Sequence, residues 1–201
     1  MRCLLCENFS LLHICPSCQE TFLTPSIYKR KILNNIEVIS FYKYKDIKDL
    51  LHTKHTDLGY YIYKILAKNS FTKFANNFEF SDSIASIAID DKITSGYSHT
   101  AILSDALDSK NTCDRGITSY GIKAIHNKLR ANNSISYSGK SKEFRILNPR
   151  KFKVKNISNS NIILVDDIIT TGSTLTQAIQ TLKNSGKNVL FCLTLADASL
   201  K

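Results

Sequence analysis

Residues 162–174 read Ile-Ile-Leu-Val-Asp-Asp-Ile-Ile-Thr-Thr-Gly-Ser-Thr and are the strongest indication of the fold in the sequence. Its four leading apolar residues are typical of a strand that is buried on both faces. Apolar residues then recur at helical spacing from Leu175 to Leu182, and Gly186 follows as a helix-ending signal. Residues 189–195 have the pattern of the next buried strand. Strand, helix and strand in this order predict an α/β fold with a parallel sheet flanked by helices.

The polar half of the same stretch predicts a ligand site. Ligands of open α/β sheets bind at the carboxyl ends of the strands. Residues 170–174 lead into a helix N-terminus, where free N–H groups favour a phosphate, and Gly172 lets the backbone approach it. The carboxylates of Asp166 and Asp167 suit sugar hydroxyls and Mg²⁺ on the same ligand. An acidic pair that only caps the helix is the alternative. No lysine follows Gly172, so the stretch is not a nucleoside-triphosphate P-loop.

Four of the six cysteines stand at the start of the chain as two C-x-x-C pairs with eight residues between them. Two such pairs complete a closed tetrahedral Zn²⁺ shell, and a segment this short depends on the metal to fold. His13, between the pairs, could replace one thiolate. Disulfides, a redox-active pair and an iron–sulfur cluster are the alternatives. The predicted zinc ligands are Cys3, Cys6, Cys15 and Cys18.

The order of these motifs divides the chain into a zinc module over 1–20, a connector over 21–35 and a main domain over 36–201. The connector has room for a short helix. Residues 130–155 are polar and basic and predict a loop-rich segment. The periodicity predicts strands at 36–44 and 84–89, and helices at 46–68 with a break near 53–56, at 100–107 and at 117–129.

The acidic and threonine-rich string resembles the motif with which type I phosphoribosyltransferases bind 5-phosphoribosyl-1-diphosphate (PRPP). The resemblance implies the fold of that family, in which the acidic pair holds the ribose hydroxyls with Mg²⁺ and the threonine-rich loop holds the 5-phosphate. The residues that it implies for PRPP are Asp166, Asp167, Ile168, Ile169, Thr170, Thr171, Gly172, Ser173 and Thr174, with Asp166 and Asp167 also toward Mg²⁺.

The order of motifs along the whole chain resembles the ComF family of competence proteins. Residues 41–54 are similar to that family's tyrosine-to-lysine stretch, residues 96–98 to its Gly-Phe-Asn, and residues 145–152 to its basic segment. The family pattern has arginine where this chain has Ser95, and its loop has no acidic pair like that at 90–91. These departures favour PRPP binding over phosphoribosyl transfer. The resemblance implies a role in natural transformation, in the uptake and handling of single-stranded DNA.

The formal net charge of +10 favours polyanionic partners. Single strands are bound by cationic grooves with aromatic platforms, and tyrosines at 42, 44, 60, 61 and 63 are available for stacking. Core packing of those tyrosines and a solvated basic loop are the alternatives. A second basic cluster lies at 29–31. The predicted DNA-binding residues are Lys140, Lys142, Arg145, Arg150, Lys151, Lys153 and Lys155.

Two further functions stay open. One is an active phosphoribosyltransferase with an unknown acceptor. The other is a non-catalytic PRPP-responsive module that docks a DNA-uptake helicase or another competence protein. No signal peptide or membrane span is seen in the sequence, so we expect a cytoplasmic location, with peripheral attachment to the inner face of the membrane as an option.

Overall fold

The fold is given by a computed structural model that describes residues 1–33, 35–78, 80–89, 93, 96–109, 112–114, 117–132 and 150–200. Its strands are β1 (Tyr28–Ile32), β2 (Ile36–Lys43), β3 (Ile84–Ala88), β4 (Thr112–Asp114), β5 (Ile117–Ser119), β6 (Ile122–Ala124), β7 (Leu129–Ala131), β8 (Phe152–Val154), β9 (Asn161–Ile169) and β10 (Asn188–Asp197). Its α-helices are α1 (Pro16–Phe22), α2 (Tyr44–His52), α3 (Asp57–Ala67), α4 (Lys73–Ala75), α5 (His99–Asp105) and α6 (Ser173–Asn184). A 3-10 turn over Thr53–His55 joins α2 to α3, and a π-helical turn over Lys68–Thr72 joins α3 to α4.

A six-stranded sheet in the order β1-β2-β10-β9-β3-β6 forms the centre of the molecule. The pairs from β2 to β6 are parallel, and β1 pairs antiparallel with β2 at the edge. Strands β9 and β10 are joined by α6, which is the βαβ unit that the sequence predicts. The predicted α/β fold with a parallel sheet is therefore confirmed.

The two faces of β9 belong to two separate apolar cores. Ile163 and Val165 lie in the core that contains the buried side chains of α2, α3 and α5. Ile162 and Leu164 lie in the core that contains the buried side of α6. Helices thus cover the sheet on both faces, as continuous apolar strands require.

The N-terminal segment packs on the first of these cores. Cys18 and Leu23 are members of that core, and the hydroxyl of Tyr42 donates to the carbonyl of Leu23 at 2.8 Å. Asn69 Nδ2 donates to Gln19 Oε1 at 2.9 Å, which ties α1 to the π-helical turn. The cysteine-rich segment is therefore packed against the main domain.

Several predicted elements differ from the observed ones. The predicted helix over 117–129 is wrong, because this stretch forms β5, β6 and the start of β7. Ile117, Ile122 and Leu129 have spacings that also fit a helix, but Gly121 interrupts the stretch and its β-branched residues favour strands. The connector contains β1, and the loop-rich segment begins and ends in β7 and β8.

Other elements follow the prediction closely. Strand β2, strand β3 and helix α5 lie where the periodicity places them, and the predicted helical break near residue 53 is the 3-10 turn. Strand β9 continues to Ile169, four residues beyond the predicted apolar run, so that the acidic pair lies inside the strand. In the described ranges, no helix combines the length and the apolar character that a membrane crossing needs.

Candidate ligand-binding site

The turn between β9 and α6 has the geometry of an anion-binding loop. Gly172 is the residue before the helix and has a φ of 78°, in the left-handed region. Its carbonyl accepts the N–H of Thr176 at 2.8 Å, so the N–H groups of Thr174 and Leu175 are left at the start of a 12-residue helix, while the N–H of Ser173 donates to Thr171 Oγ1 at 3.4 Å. A side chain at position 172 would also meet Ile32 Cγ2 at 3.2 Å. Glycine is therefore favoured here by its φ, and any larger residue would also press against Ile32.

Arg30 supports this loop from the edge strand. Its Nη2 donates to the carbonyl of Thr170 at 2.7 Å, and its Nη1 donates to Ser199 Oγ at 3.2 Å. Its Nε lies 3.2 Å from Asp197 Oδ2. Asp197 in turn accepts the N–H of Ser199 at 2.8 Å. The guanidinium thus joins β1, the loop before α6 and the end of β10.

The acidic pair divides between the two faces of β9. Asp167 follows the parity of Val165 and points toward the α2–α5 layer, where its Oδ2 lies 2.8 Å from Lys54 Nζ and 3.4 Å from His99 Nε2. Asp166 follows the parity of Leu164 and faces the α6 side, as alternation along a strand requires. Its Oδ1 accepts the N–H of Asp167 at 2.9 Å.

Opposite pKa shifts accompany this division. Burial acts to raise the pKa of Asp167, but the hydrogen bond from His99 and the charge of Lys54 outweigh it, and its pKa lies below the usual range. Burial and the neighbouring charge of Asp167 raise the pKa of Asp166 well above its usual value, against a smaller opposing effect of Arg150. Burial also acts to lower the pKa of Lys54, but the charge of Asp167 outweighs this effect and raises it.

The 3-10 turn and the start of α5 interlock beside this pair. The hydroxyl of Tyr97 donates to the carbonyl of Lys54 at 2.7 Å, and a Cβ on Gly59 would overlap the carbonyl oxygen of Thr53 and that hydroxyl. Ser98 caps α5, since its Oγ accepts the N–H of Ala101 at 3.1 Å. The acidic residues at 90–91 and Ser95, which precede Tyr97 and α5 in the sequence, lie outside the described residues.

The four predicted zinc ligands come together. Their sulfur atoms all lie within 4.8 Å of one another and could hold a metal ion. Zn–S bonds of about 2.3 Å imply a tetrahedral S···S edge of about 3.8 Å, and the observed Cys6–Cys15 distance is 3.7 Å. The N–H of Cys15 donates to Cys3 Sγ at 3.3 Å. His13 is not one of these ligands and instead lies against the ring of Tyr61, at 4.8 Å between centroids.

The thiols of this cluster influence each other's protonation. Burial acts to raise the pKa of Cys3, but backbone N–H donors such as that of Cys15 outweigh it and lower the pKa to about 6. Burial and the neighbouring thiols raise the pKa of Cys18. Four soft donors in one closed cluster, with backbone donors to the sulfur atoms, fit a structural zinc site.

Basic residues of the predicted DNA-binding segment lie on a two-stranded ribbon. Arg130 of β7 stands opposite Lys153 of β8, and both side chains are exposed. Lys151 and Lys155 flank β8 and are also exposed. Arg150 is half-buried instead, with its N–H donating to Gln177 Oε1 of α6 at 2.7 Å. Outside the described residues lie Lys140, Lys142 and Arg145.

Two other predicted features are not brought together. Strand alternation directs the side chains of the basic cluster at 29–31 to opposite faces. Lys29 pairs with Glu37 at 3.0 Å, whereas Arg30 donates to the carbonyl of Thr170. Tyr42 and Tyr63 are buried in the core and offer no stacking surface. Tyr60 and Tyr61 on α3 remain exposed.

Residues 122–200 match the model of the phosphoribosyl transferase domain family. This match spans less than half of the chain, whose α/β fold is phosphoribosyltransferase-like. The matched range holds the whole βαβ unit, the acidic pair and the loop before α6.

Individual relatives are more distant. A stretch of 42 residues is 45% identical to the transcriptional regulator GfcR of Methanosphaera stadtmanae, and it spans 21% of this chain and 21% of that regulator. Orotate phosphoribosyltransferase of Aeropyrum pernix aligns over 90% of this chain and 80% of its own at 15% identity, with a TM-score of 0.39. Hypoxanthine phosphoribosyltransferase of Staphylococcus aureus aligns over 67% of this chain and 62% of its own at 14% identity, with a TM-score of 0.36. Likenesses at such TM-scores carry no inference about this chain.

Sequence reasoning missed three residues of the site. Lys54, His99 and Arg30 reach the acidic pair or its loop from positions 68 to 140 residues earlier in the chain. No local pattern announces such partners. One general rule could have indicated such partners. Buried carboxylates are paired with a positive charge, and the acidic pair directly follows the apolar run 162–165.

Proposed function

We propose that this chain binds PRPP together with Mg²⁺ at the carboxyl end of β9, through residues 166–174. The observation that supports this most strongly is the strand–loop–helix unit, in which the acidic pair lies near the end of β9 and a glycine at positive φ precedes α6. The residues present fit the ligand, because N–H groups and hydroxyls suit a phosphate and carboxylates suit ribose hydroxyls and a hard cation.

The parts of PRPP would be held by different groups. The 5-phosphate would accept hydrogen bonds from the N–H groups at the start of α6 and from the hydroxyls of Thr170, Thr171, Ser173 and Thr174. The ribose hydroxyls would donate to carboxylate oxygens at the position of the acidic pair. Bound Mg²⁺ would neutralise phosphate charge close to the carboxylates. Four cysteine thiolates would hold one structural Zn²⁺ that folds the N-terminal segment.

The proposal is tested by thermal melting with PRPP and Mg²⁺. A ligand that binds only the native state raises the melting temperature by mass action, so PRPP should stabilise the wild-type protein. Thr171→Val with Ser173→Ala removes two hydroxyls of the loop and should weaken the shift, with an apparent Kd about 10-fold higher. Thr176→Val with Ser185→Ala makes the same chemical changes further along α6 and at its end, and should leave the shift unchanged. An equal loss in both double variants would contradict the assignment.

Binding does not require transfer. The likeness of a short stretch to a transcriptional regulator and the departures from the ComF pattern both support a binding role for PRPP. Phosphoribosyl transfer to an unknown acceptor is the alternative. A screen of candidate acceptors for PRPP consumption and release of diphosphate decides between them, and turnover above the rate of PRPP hydrolysis would establish an enzyme.

A second proposed function is the binding of single-stranded nucleic acid, in keeping with the ComF resemblance. The observation that favours it is the β7–β8 ribbon, where Arg130 faces Lys153 with no acidic residue in 127–132 or 150–156. Like charges directly opposite one another destabilise a strand pair, and a bound polyanion removes that cost. In this role the protein would act in natural transformation, in contact with DNA or with a protein that handles it.

This second function predicts a localised and salt-dependent affinity. Replacing Lys151, Lys153 and Lys155 with Glu should abolish binding of a labelled oligonucleotide near physiological salt. In wild type, the log–log dependence on salt should have a slope of about −0.7 for each phosphate contact. The control replaces the three exposed lysines Lys64, Lys68 and Lys73 in the same way. If both triple variants lose equal affinity, the binding is diffuse and the ribbon is no site.

A further inference from the structure

The two carboxylates of the acidic pair occupy different environments. Neighbouring residues of a strand point to opposite faces, and here the faces belong to separate cores. The α6 side carries the helix whose N-terminus is proposed to hold the phosphate, and Leu175 and Ala178 pack that helix on this face. A ligand with its phosphate at that N-terminus therefore meets Asp166 first. Asp167 lies across the strand from it.

The oxygen atoms of Asp167 are already engaged within the protein. Its Oδ1 accepts the N–H of Ile168 at 2.8 Å. Its Oδ2 is shared by Lys54 Nζ at 2.8 Å and His99 Nε2 at 3.4 Å. Asp167 is 8% exposed. A ribose hydroxyl that took over Oδ2 would leave a poorly exposed ammonium without its counter-charge, which is costly.

The two partners of Asp167 are themselves held in place. The carbonyl of Lys54 accepts the hydroxyl of Tyr97 at 2.7 Å, so the 3-10 turn is tied to the residues before α5. The ring of His99 packs edge-on against Tyr63 at 5.5 Å and against His55 at 6.4 Å between centroids. Asp167 thus sits where β9, the 3-10 turn and the start of α5 converge.

We propose that the acidic pair divides its work: Asp166 meets the ribose and Mg²⁺, and Asp167 is a positioning residue that fastens the 3-10 turn and the start of α5 to β9. The identity of the ligand rests on the proposed function. The division of labour rests on the two faces of β9 and on the bonds of Asp167. This arrangement differs from one in which both carboxylates hold the ribose.

Single variants separate the two roles. Asp167→Asn should lower the melting temperature of the ligand-free protein by about 10 °C, because Lys54 loses its buried counter-charge. It should still show the Mg²⁺-dependent shift with PRPP. Asp166→Asn should leave the ligand-free melting temperature the same or higher and should abolish the Mg²⁺ dependence of the shift. Asp49→Asn, an exposed carboxylate on α2, is the control and should change neither quantity.

A paired variant and a local probe test the positioning role itself. Lys54→Met in the Asp167→Asn background removes both charges of the Lys54–Asp167 ion pair. The double variant should recover at least half of the decrease in melting temperature, because no unpaired ammonium is left. In Asp167→Asn alone, amide hydrogen exchange should accelerate in Thr53–His55 and His99–Asp105 and stay unchanged in α6. Uniform acceleration over the whole chain would overturn the positioning role.

The remaining outcomes each decide one half of the inference. If Asp167→Asn abolishes the PRPP shift and leaves the ligand-free melting temperature unchanged, the division of labour is overturned. If the wild-type protein shows no PRPP shift, the proposed function fails together with the role of Asp166. The role of Asp167 is then still decided by the ligand-free melting temperatures and by the paired variant.

Discussion

The cysteine cluster and the acidic site gather their polar groups in different ways. All four thiols come from residues 3–18, and the backbone turns between them suffice to bring the sulfur atoms together. The acidic site draws on β1, the 3-10 turn, the start of α5 and β9, which are far apart in the sequence. A site that is local in sequence is specified by spacing, and a site that is distributed is specified by the fold.

The two regions also differ in what holds them in shape. The segment over residues 1–20 has few buried apolar side chains of its own and leaves Phe9 and Leu11 exposed at 88% and 95%. A metal ion would supply the missing stabilisation there. The acidic site lies between two apolar cores and would keep its form without a ligand. We therefore expect the first region to respond to loss of metal and the second to changes in packing.

Loss of one thiol should have the largest effect. Wild-type protein should carry about one Zn²⁺ per chain, and Cys18→Ser should lose it together with a large part of about 10 kcal/mol of metal-linked stabilisation. Because Cys18 and Leu23 belong to the core beneath α3, the main domain should melt earlier as well. Metal analysis and circular dichroism measure both effects. Cys113→Ser, outside the quartet, is the control, and equal metal loss there would remove the distinction.

A methyl group at Gly59 should produce the next largest effect. Its Cβ would enter the space of the Thr53 carbonyl and the Tyr97 hydroxyl, so Gly59→Ala should lower the free energy of unfolding by about 3 kcal/mol. Gly186→Ala meets nothing within 4 Å and has only its φ of 73° against it, which costs about 1 kcal/mol. Denaturant titration of both variants gives the difference. Similar losses would mean that the 3-10 turn moves freely and fixes nothing.

Replacement of the Arg30 guanidinium should have a moderate effect on the acidic site. Arg30→Lys keeps a charge near Asp197 but loses the planar donor set that reaches Thr170, so PRPP affinity should fall about 10-fold and stability by about 1–2 kcal/mol. Isothermal titration and melting curves measure the two quantities. Lys29→Met on the same strand removes an exposed ion pair with Glu37 and should cost less than about 1 kcal/mol. A stronger effect of Lys29→Met on PRPP binding would contradict the support role of Arg30.

The smallest effect should come from the pH dependence of Asp166. Its pKa is raised in the folded state, so wild-type protein loses stability as the pH rises from the ordinary carboxyl pKa through the raised folded value. Asp166→Asn lacks this loss and should be slightly more stable than wild type at pH 7.5, with the advantage gone near pH 4. Asp167→Asn should behave in the opposite way, because the lowered pKa of Asp167 gives a stabilisation that is lost as the pH falls. Melting curves without divalent ions test both signs.

The sequence predicts the elements that repeat a strong pattern and fails where tertiary contacts decide. The βαβ unit and the thiol cluster follow from apolar runs and from spacing, and both are found. The helix predicted from Ile117 to Leu129 was wrong because the weak periodicity of this stretch fits a helix as well as short strands. The pairing of β6 with β3 selects the strand. Lys54 and His99 were missed because charge pairing across more than 60 residues leaves no trace in a local pattern.

The position of β2 in the sheet affects the order in which the sheet can form during synthesis. This strand is made early, yet its parallel neighbour is β10, so that Ile39 pairs with Leu193 and Ser40 shares a buried hydroxyl contact of 2.6 Å with Thr194. During synthesis on the ribosome, β2 waits with one edge unpaired until more than 150 further residues have emerged. Closing so long a loop is slow, and an apolar strand edge that waits is open to wrong partners. We therefore expect the growing chain to be open to misfolding at this strand edge until β10 has emerged.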